Sequence, residues 1–130
     1  MTSAEQTPKT ENKDTKFVFW LSFDLGLKGD YSGLYSWLDS KKSTECGDSL
    51  ALVRTQIPED ASKNPQEIVR VMRAEIEQHV KISSTDRMYI MFKSPDGGPP
   101  IGTFLFGKRK RSLWEGYSQT SATDTITDQG

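Results

Sequence analysis

Residues 17–38 read FVFWLSFDLGLKGDYSGLYSWL, and this stretch decides the fold. Large apolar side chains occupy both alternations of the run that ends at Asp24, which is typical of a central strand covered on both faces. Gly26 and Gly29 then permit a tight loop, and Asp30 is suited to cap a helix. Three apolar side chains follow at helical spacing: Leu34, Trp37 and Leu38. The stretch therefore predicts a strand, a loop and a helix.

The rest of the chain combines one strongly capped helix with further apolar strands. Asn64, Pro65 and Glu67 are the cap, the first-position proline and the acidic residue of a helix start. Three short apolar runs predict strands, at residues 49–53, 88–92 and 101–106. The order predicts an α+β fold, a ferredoxin-like sandwich in which two helices lie on one face of a sheet of four or more strands.

The fourth strand of this sandwich has two possible sources. A ferredoxin-like fold needs another strand before its second helix. Either residues 44–57 divide into two short strands at Gly47 and Asp48, or the hairpin formed by the last two strands supplies the missing one. The sequence leaves both assignments open.

Length and composition fit a single domain between two polar tails. The chain has 130 residues and a formal net charge of −1, so global charge argues neither for nor against nucleic-acid binding. Residues 1–16 and 118–130 are too polar to bury a core and are predicted to be disordered, which leaves 17–117 as the α+β domain. No run approaches the ~20 apolar residues of a membrane span, and we expect a soluble, cytoplasmic protein.

The single cysteine and the single histidine exclude several classes of site. Cys46 has no internal disulfide partner, and we expect its side chain to be packed near the start of the second strand. His79 alone can build neither a histidine metal cluster nor a Ser-His-Asp triad within one chain. We expect His79 on the surface of the second helix.

Several of these features resemble a known family. Phe23 and Asp24 close a buried first strand, Ser49 opens the second, and residues 86–90 open a later one. In this pattern, over residues 16–106, the chain resembles the small CRISPR-associated adaptation protein and its relative, virulence-associated protein D. The resemblance implies a ferredoxin-like fold, a homodimer and, in some members, metal-dependent cleavage of RNA or DNA. It also implies an aspartate from each subunit near the two-fold axis, and Asp24 is the matching position.

Asp24 is therefore the candidate catalytic and metal-binding residue. A Mg²⁺ or Mn²⁺ ion that cleaves a phosphodiester needs carboxylate oxygens near the phosphate, because it neutralises charge and activates water. If the protein is a nuclease, its cofactor is one of these two ions, and Asp30 and Asp48 are possible neighbours. In the alternative interpretation Asp24 accepts hydrogen bonds from loop N–H groups, Asp30 caps a helix and Asp48 starts a strand.

A basic run follows the last predicted strand, with two aromatic residues close behind it. The six residues are Lys108, Arg109, Lys110, Arg111, Trp114 and Tyr117. Cations for phosphates and aromatic faces for stacked bases are the parts of single-strand binders, which makes these residues the candidate nucleic-acid site. Alternatively, the cations protect a sheet edge and the two rings pack on the core or on a partner subunit.

Three functions compete on these observations. The favoured one is a dimeric protein that binds RNA or DNA without catalysis. The second is a metal-dependent nuclease of the same fold, and the third is a protein-interaction module whose basic patch is incidental. The homodimer is expected from the resemblance and from the two aromatic residues beyond the last strand, which have no place in so small a core.

Overall fold

One five-stranded antiparallel sheet forms the centre of the computed structural model, which describes residues 13–119. The elements in chain order are β1 (Asp14–Asp24), α1 (Tyr31–Ser40), β2 (Thr44–Glu45), β3 (Leu50–Pro58), a 3-10 turn (Ala61–Lys63), α2 (Pro65–His79), β4 (Arg87–Phe92) and β5 (Ile101–Phe106). The strand order across the sheet is β2-β3-β1-β4-β5, so β1 is the central strand. The predicted α+β class is confirmed.

The segment before α2 divides into two strands, which is the first of the two predicted alternatives. β2 is a two-residue edge strand that pairs with β3 through Glu45 and Ala51. Between the two strands Gly47 adopts a φ of +142°, a conformation that a glycine tolerates. The β4–β5 hairpin adds a fifth strand at the opposite edge. The order of the first four strands is compatible with a ferredoxin-like topology, extended here by β5.

Both helices begin at the side-chain caps that the sequence predicts. The Asp30 carboxylate accepts a hydrogen bond from the Gly33 backbone N–H at 2.9 Å. At the start of α2 the Asn64 side chain accepts from the Gln66 N–H at 2.9 Å and Pro65 occupies the first turn. Each cap satisfies an N–H group that has no partner inside its own helix. Local chemistry therefore fixes where each helix starts.

The hydrophobic core lies between the two helices and one face of the sheet. On β1, Phe19 and Leu21 are fully buried, and they belong to one cluster with Trp37 of α1 and Met72 of α2. The other alternation of β1 faces solvent, since Trp20 remains 43% exposed. The prediction that β1 is covered on both faces is wrong. The helices cover one face, and the large apolar residues of the other face conceal the alternation in the sequence.

The described residues also correct two smaller predictions. β1 begins at Asp14, so residues 14–16 belong to the sheet rather than to a tail, because Asp14 pairs with Pro58 of β3. Cys46 is exposed rather than packed, since β2 ends before it. His79 is exposed, as predicted. At the other end, Ser118 and Gln119 of the predicted C-terminal tail are helical. Residues 1–12 and 120–130 of the two predicted tails lie outside the described residues.

No helix within residues 13–119 has the length and apolar character needed to cross a membrane.

Candidate binding surface on the open face of the sheet

The face of the sheet that the helices leave uncovered carries three aromatic rings. We call this surface the open face, formed by Val18, Trp20, Ser22, Asp24, Leu52, Arg54, Arg87, Tyr89, Met91 and Phe104. Trp20 lies at its centre, paired across the strands with Leu52 on one side and Met91 on the other. The solvent face of an antiparallel sheet is normally polar, and a contiguous apolar patch indicates a surface with a binding partner.

Tyr89 and Phe104 form an aromatic pair next to Trp20. They are cross-strand partners on β4 and β5, and their ring centroids lie 4.9 Å apart at an interplanar angle of 79°. The Tyr89 ring lies over Gly102, where an added Cβ would fall 2.6 Å from the Tyr89 hydroxyl oxygen. Gly102 therefore makes room for the ring. Ser22, the residue two positions after Trp20, is the β1 partner of Tyr89, so Trp20 and Tyr89 are diagonal neighbours, roughly 7 Å apart by ordinary sheet geometry.

Arg87 connects this aromatic pair to Asp24. Its guanidinium carbon lies 5.8 Å from the Phe104 ring centroid, within the range of a cation–π contact. Arg87 and Asp24 are cross-strand partners, and Arg87 Nη2 donates a hydrogen bond to Asp24 Oδ2 at 3.1 Å. The Asp24 side chain is still 58% exposed, so a ligand on the open face has access to the carboxylate.

The basic run leaves β5 through a turn that requires glycine. Gly107 adopts a φ of +78°, and an added Cβ there would lie 2.7 Å from the Asp86 carbonyl oxygen. Beyond the turn, Arg109 Nη2 donates a hydrogen bond to Glu115 Oε1 at 2.8 Å. This ion pair closes residues 109–115 into a loop beside the open face.

A cavity of about 460 Å³ lies between this loop and the sheet. Its lining includes Ser22, Asp24, Arg87, Tyr89, Phe104 and Trp114. A second cavity of about 630 Å³ extends from Arg87 along residues 109–115. Both volumes fall within the roughly 300–1,000 Å³ that is usual for small-molecule sites. The first cavity combines aromatic walls with the carboxylate of Asp24 and the guanidinium groups of Arg87 and Arg109, which suits a planar polar ligand.

The structure brings together some of the residues predicted from the sequence. Asp24, Arg109 and Trp114 line the first cavity, and Lys110 and Arg111 line the second together with Arg109 and Trp114. Lys108 and Tyr117 are exposed and line neither of these two cavities.

Sequence reasoning missed four residues of this surface, which are Trp20, Arg87, Tyr89 and Phe104. The apolar pattern assigns both Trp20 and Tyr89 to strands that are apolar on each alternation, and such strands read as buried. One signal was present, because the alternation that contains Trp20 turns polar at Ser22 and Asp24. A buried face does not end in this way at the centre of a sheet.

Asp24 and Asp86 make different contacts and have different structural roles. Asp86 is buried and accepts hydrogen bonds from the Gly26 N–H at 2.9 Å and from the Ser83 N–H at 2.8 Å. Asp86 thus organises the loop after β1, which is the task that the alternative interpretation gave to Asp24. Asp24 itself binds Arg87 and faces the open face of the sheet.

The described part of the chain does not bring the predicted carboxylates together into a metal site. The backbone N–H groups of Lys81 and Gly33 donate to the Asp30 carboxylate, each at 2.9 Å, and lower its pKa below the ordinary 3.8. Asp48 lies in the loop between β2 and β3. Within residues 13–119 no group of three or more His, Cys, Asp or Glu side chains is placed to hold an ion. A metal at Asp24 stays a prediction that needs donors from outside these residues.

Comparisons of the chain with protein-family models, with curated proteins and with solved structures gave no significant match. The resemblance to the CRISPR-associated adaptation protein and to virulence-associated protein D therefore stays a prediction.

Proposed function

We propose that this protein binds single-stranded nucleic acid on the open face of its sheet. The observation that carries the proposal is the set of three aromatic side chains, Trp20, Tyr89 and Phe104, on a sheet face that neither α1 nor α2 covers. Sheets that present two or three such rings on adjacent strands stack successive unpaired bases. Each stacked base contributes about 1–3 kcal/mol to the free energy of binding, and this stacking depends little on the identity of the base.

The local charge of this surface favours a polyanionic ligand, although the net charge of the chain is slightly negative. The formal net charge is −1, yet Arg54 and Arg87 lie on the open face and four consecutive cations, residues 108–111, follow β5. These cations flank the aromatic rings, as phosphates flank bases along a strand. Contacts between cations and phosphates supply most of the affinity in non-specific nucleic-acid binding.

An unpaired strand fits this surface better than a duplex does. Base faces are available for stacking only where the bases are not already stacked and paired with a complement. A duplex would present its phosphates to the cations and leave the three rings without a partner. We therefore expect preference for single strands of RNA or DNA, with duplex as the weaker competitor.

The finer assignments are proposals of the same kind. We propose a ferredoxin-like topology extended by β5, in agreement with the strand order, and a homodimer. Tyr117 is 66% exposed beyond the last strand and lines neither cavity, which supports a subunit contact in that region. Sedimentation at tens of micromolar tests the dimer, and a purely monomeric boundary would contradict it.

The experiment for binding compares two matched variants, Trp20→Leu and Tyr35→Leu. Leucine keeps an apolar side chain but removes the ring, and Tyr35 is an exposed ring, 53% accessible, on α1 rather than on the open face. Fluorescence anisotropy with labelled single-stranded 12-mers measures the affinity, with the duplex as competitor. We expect Trp20→Leu to weaken binding about 5- to 150-fold and Tyr35→Leu to leave it unchanged.

Two results would contradict the proposal. One is the absence of single-strand binding by the wild type at low salt. The other is equal affinity of both variants and the wild type, which would show that the open face does not contact the strand. If a protein partner occupied the face instead, the apolar leucine would keep much of that contact and the oligonucleotides would not bind.

A further inference from the structure

We infer that the cavity between the sheet and the loop of residues 109–115 is a guanine-selective base site, an inference that rests on the proposed function and adds the base preference. The cavity holds the Asp24 carboxylate, the Arg87 guanidinium and three aromatic side chains, Tyr89, Phe104 and Trp114. A nucleobase is a planar ring with a polar edge, and this lining offers ring walls together with polar groups in one place.

The carboxylate of Asp24 is the group that selects the base. Arg87 engages Oδ2 at 3.1 Å and orients the carboxylate, while more than half of the side chain stays exposed toward the open face. An ionised carboxylate only accepts hydrogen bonds. It therefore pairs with a base edge that presents adjacent donors and rejects an edge that presents an acceptor.

Guanine is the base whose Watson–Crick edge meets this requirement. Its N1–H and N2–H groups are two adjacent donors, spaced to meet the two oxygens of one carboxylate. Adenine places the bare N1 acceptor at the same position, and uracil flanks its single N–H with two carbonyl oxygens. Cytosine, like adenine, offers one amino group beside a bare ring nitrogen. The carboxylate therefore ranks guanine first and the other three bases below it.

The charges around the cavity place a base rather than a phosphate at Asp24. The Asp24 carboxylate repels a phosphate. The cations that neighbour Asp24 on this surface attract phosphates instead. Lys110 and Arg111 line the second cavity along the loop, where the sugar-phosphate backbone would leave the site, whereas Arg109 lines both cavities. Trp114 lines the base cavity and is 76% exposed, so its ring is accessible to a bound base.

A guanine at this site has two sources, a residue of a strand or a free guanine nucleotide. The test uses both. Uridine 8-mers that carry one central G, A or C supply the strand arm, and GMP and AMP supply the free arm. Affinities are measured by anisotropy for the strands and by titration calorimetry for the nucleotides, on the full chain.

The decisive variant is Asp24→Asn, with Asp60→Asn as its matched control. The amide at residue 24 keeps the shape but replaces one acceptor with a donor, a pattern that complements adenine rather than guanine. Asp60→Asn makes the same substitution at an exposed aspartate that follows β3, near the end of β1 opposite to Asp24. Thermal unfolding of each variant verifies that it is folded.

We expect the wild type to prefer G over A by about 5-fold or more, the value of one bidentate contact. Asp24→Asn should abolish or reverse this ratio, and Asp60→Asn should leave it intact. Equal affinity of the wild type for G and A, or a preference that survives Asp24→Asn, overturns the inference. If the preference is absent while Trp20→Leu still weakens strand binding, the proposed function stands and the base site fails. If GMP binds through Asp24 while no oligonucleotide binds, the base site stands and the proposed function fails.

Discussion

Both faces of β1 carry large apolar side chains, but these side chains have opposite environments. Phe19, Leu21 and Phe23 point under the helices and are at most 6% exposed, whereas Val18 and Trp20 on the other face are 49% and 43% exposed. On the covered face apolar burial stabilises the fold. On the open face the same kind of side chain contributes less to stability, and it is available to a ligand.

An apolar side chain in a strand can therefore either stabilise the fold or bind a ligand. Side chains on the covered face should affect unfolding, and side chains on the open face should affect binding. The predictions that follow separate the two effects, beginning with the largest.

The first prediction compares neighbours on β1. Phe19→Ala removes a fully buried ring from the core, and we expect a loss of about 3–5 kcal/mol in the free energy of unfolding. Trp20→Ala removes a half-exposed ring and should cost about 1 kcal/mol. Urea denaturation measures both. Equal losses at the two positions would contradict the one-sided cover of the sheet.

The second prediction compares two aspartates. Asp86→Ala leaves the Gly26 and Ser83 N–H groups without their acceptor, at a cost of about 1–3 kcal/mol for each group that stays buried. Asp24→Ala removes an exposed ion pair with Arg87, worth about 0–1 kcal/mol. The melting temperature should therefore fall clearly in the first variant and little in the second. If Asp24→Ala lowered the melting temperature more than Asp86→Ala does, Asp24 rather than Asp86 would organise the loop after β1.

The third prediction concerns the salt dependence of strand binding. Replacing Lys108, Arg109, Lys110 and Arg111 by Gln should weaken binding to every sequence alike. The slope of log affinity against log salt should flatten by roughly 0.7 for each phosphate that the protein no longer neutralises. The control variant replaces four exposed loop lysines, Lys28, Lys42, Lys63 and Lys81, and keeps the total charge change equal. If both variants bind alike, the basic run has no special role.

The fourth prediction, with the smallest expected effect, concerns the stability of the fold at acid pH. The N–H groups of Lys81 and Gly33 lower the pKa of Asp30 in the folded state, so its ionised form stabilises the contact between α1 and the end of α2. This contribution is present above the unfolded value of 3.8 and is lost as the pH falls below it through the folded pKa. Asp30→Ala should unfold with a weaker pH dependence in this window. An unchanged acid unfolding curve would contradict this linkage.

Most of the fold could be predicted from local chemistry. Neighbouring residues specify the caps at Asp30 and Asn64, the apolar period of α2 and the glycine-rich turns. The structure contains these features where the sequence predicts them. The split of residues 44–57 into two strands is one of two predicted alternatives, because the Gly47 turn signal is local but the pairing of the strands around it is not.

The open face could not be predicted in the same way. Whether Trp20 is covered depends on the side from which both helices cross the sheet, and within β1 the signal of that side is limited to the polar end of its alternation at Ser22 and Asp24. The pairing of Asp24 with Arg87 joins residues far apart in sequence, and only the register of β1 against β4 brings them together. The sequence identifies Asp24 as a candidate, but it does not identify the guanidinium partner or the aromatic neighbours of this residue.

Binding on the open face can be tested with the three tryptophans as reporters on the two faces of the sheet. Trp20 and Trp114 lie at the open face and its loop, whereas the indole of Trp37 is buried under the sheet and donates its Nε1–H to Glu75 Oε2 at 3.0 Å. In an NMR titration of the full chain with a single-stranded 12-mer, the three indole N–H signals are followed, each assigned by a Trp→Phe variant. We expect the Trp20 and Trp114 signals to shift with saturation while the Trp37 signal stays in place. A titration that leaves Trp20 unshifted, or that shifts Trp37 as much as Trp20, would contradict strand binding on the open face.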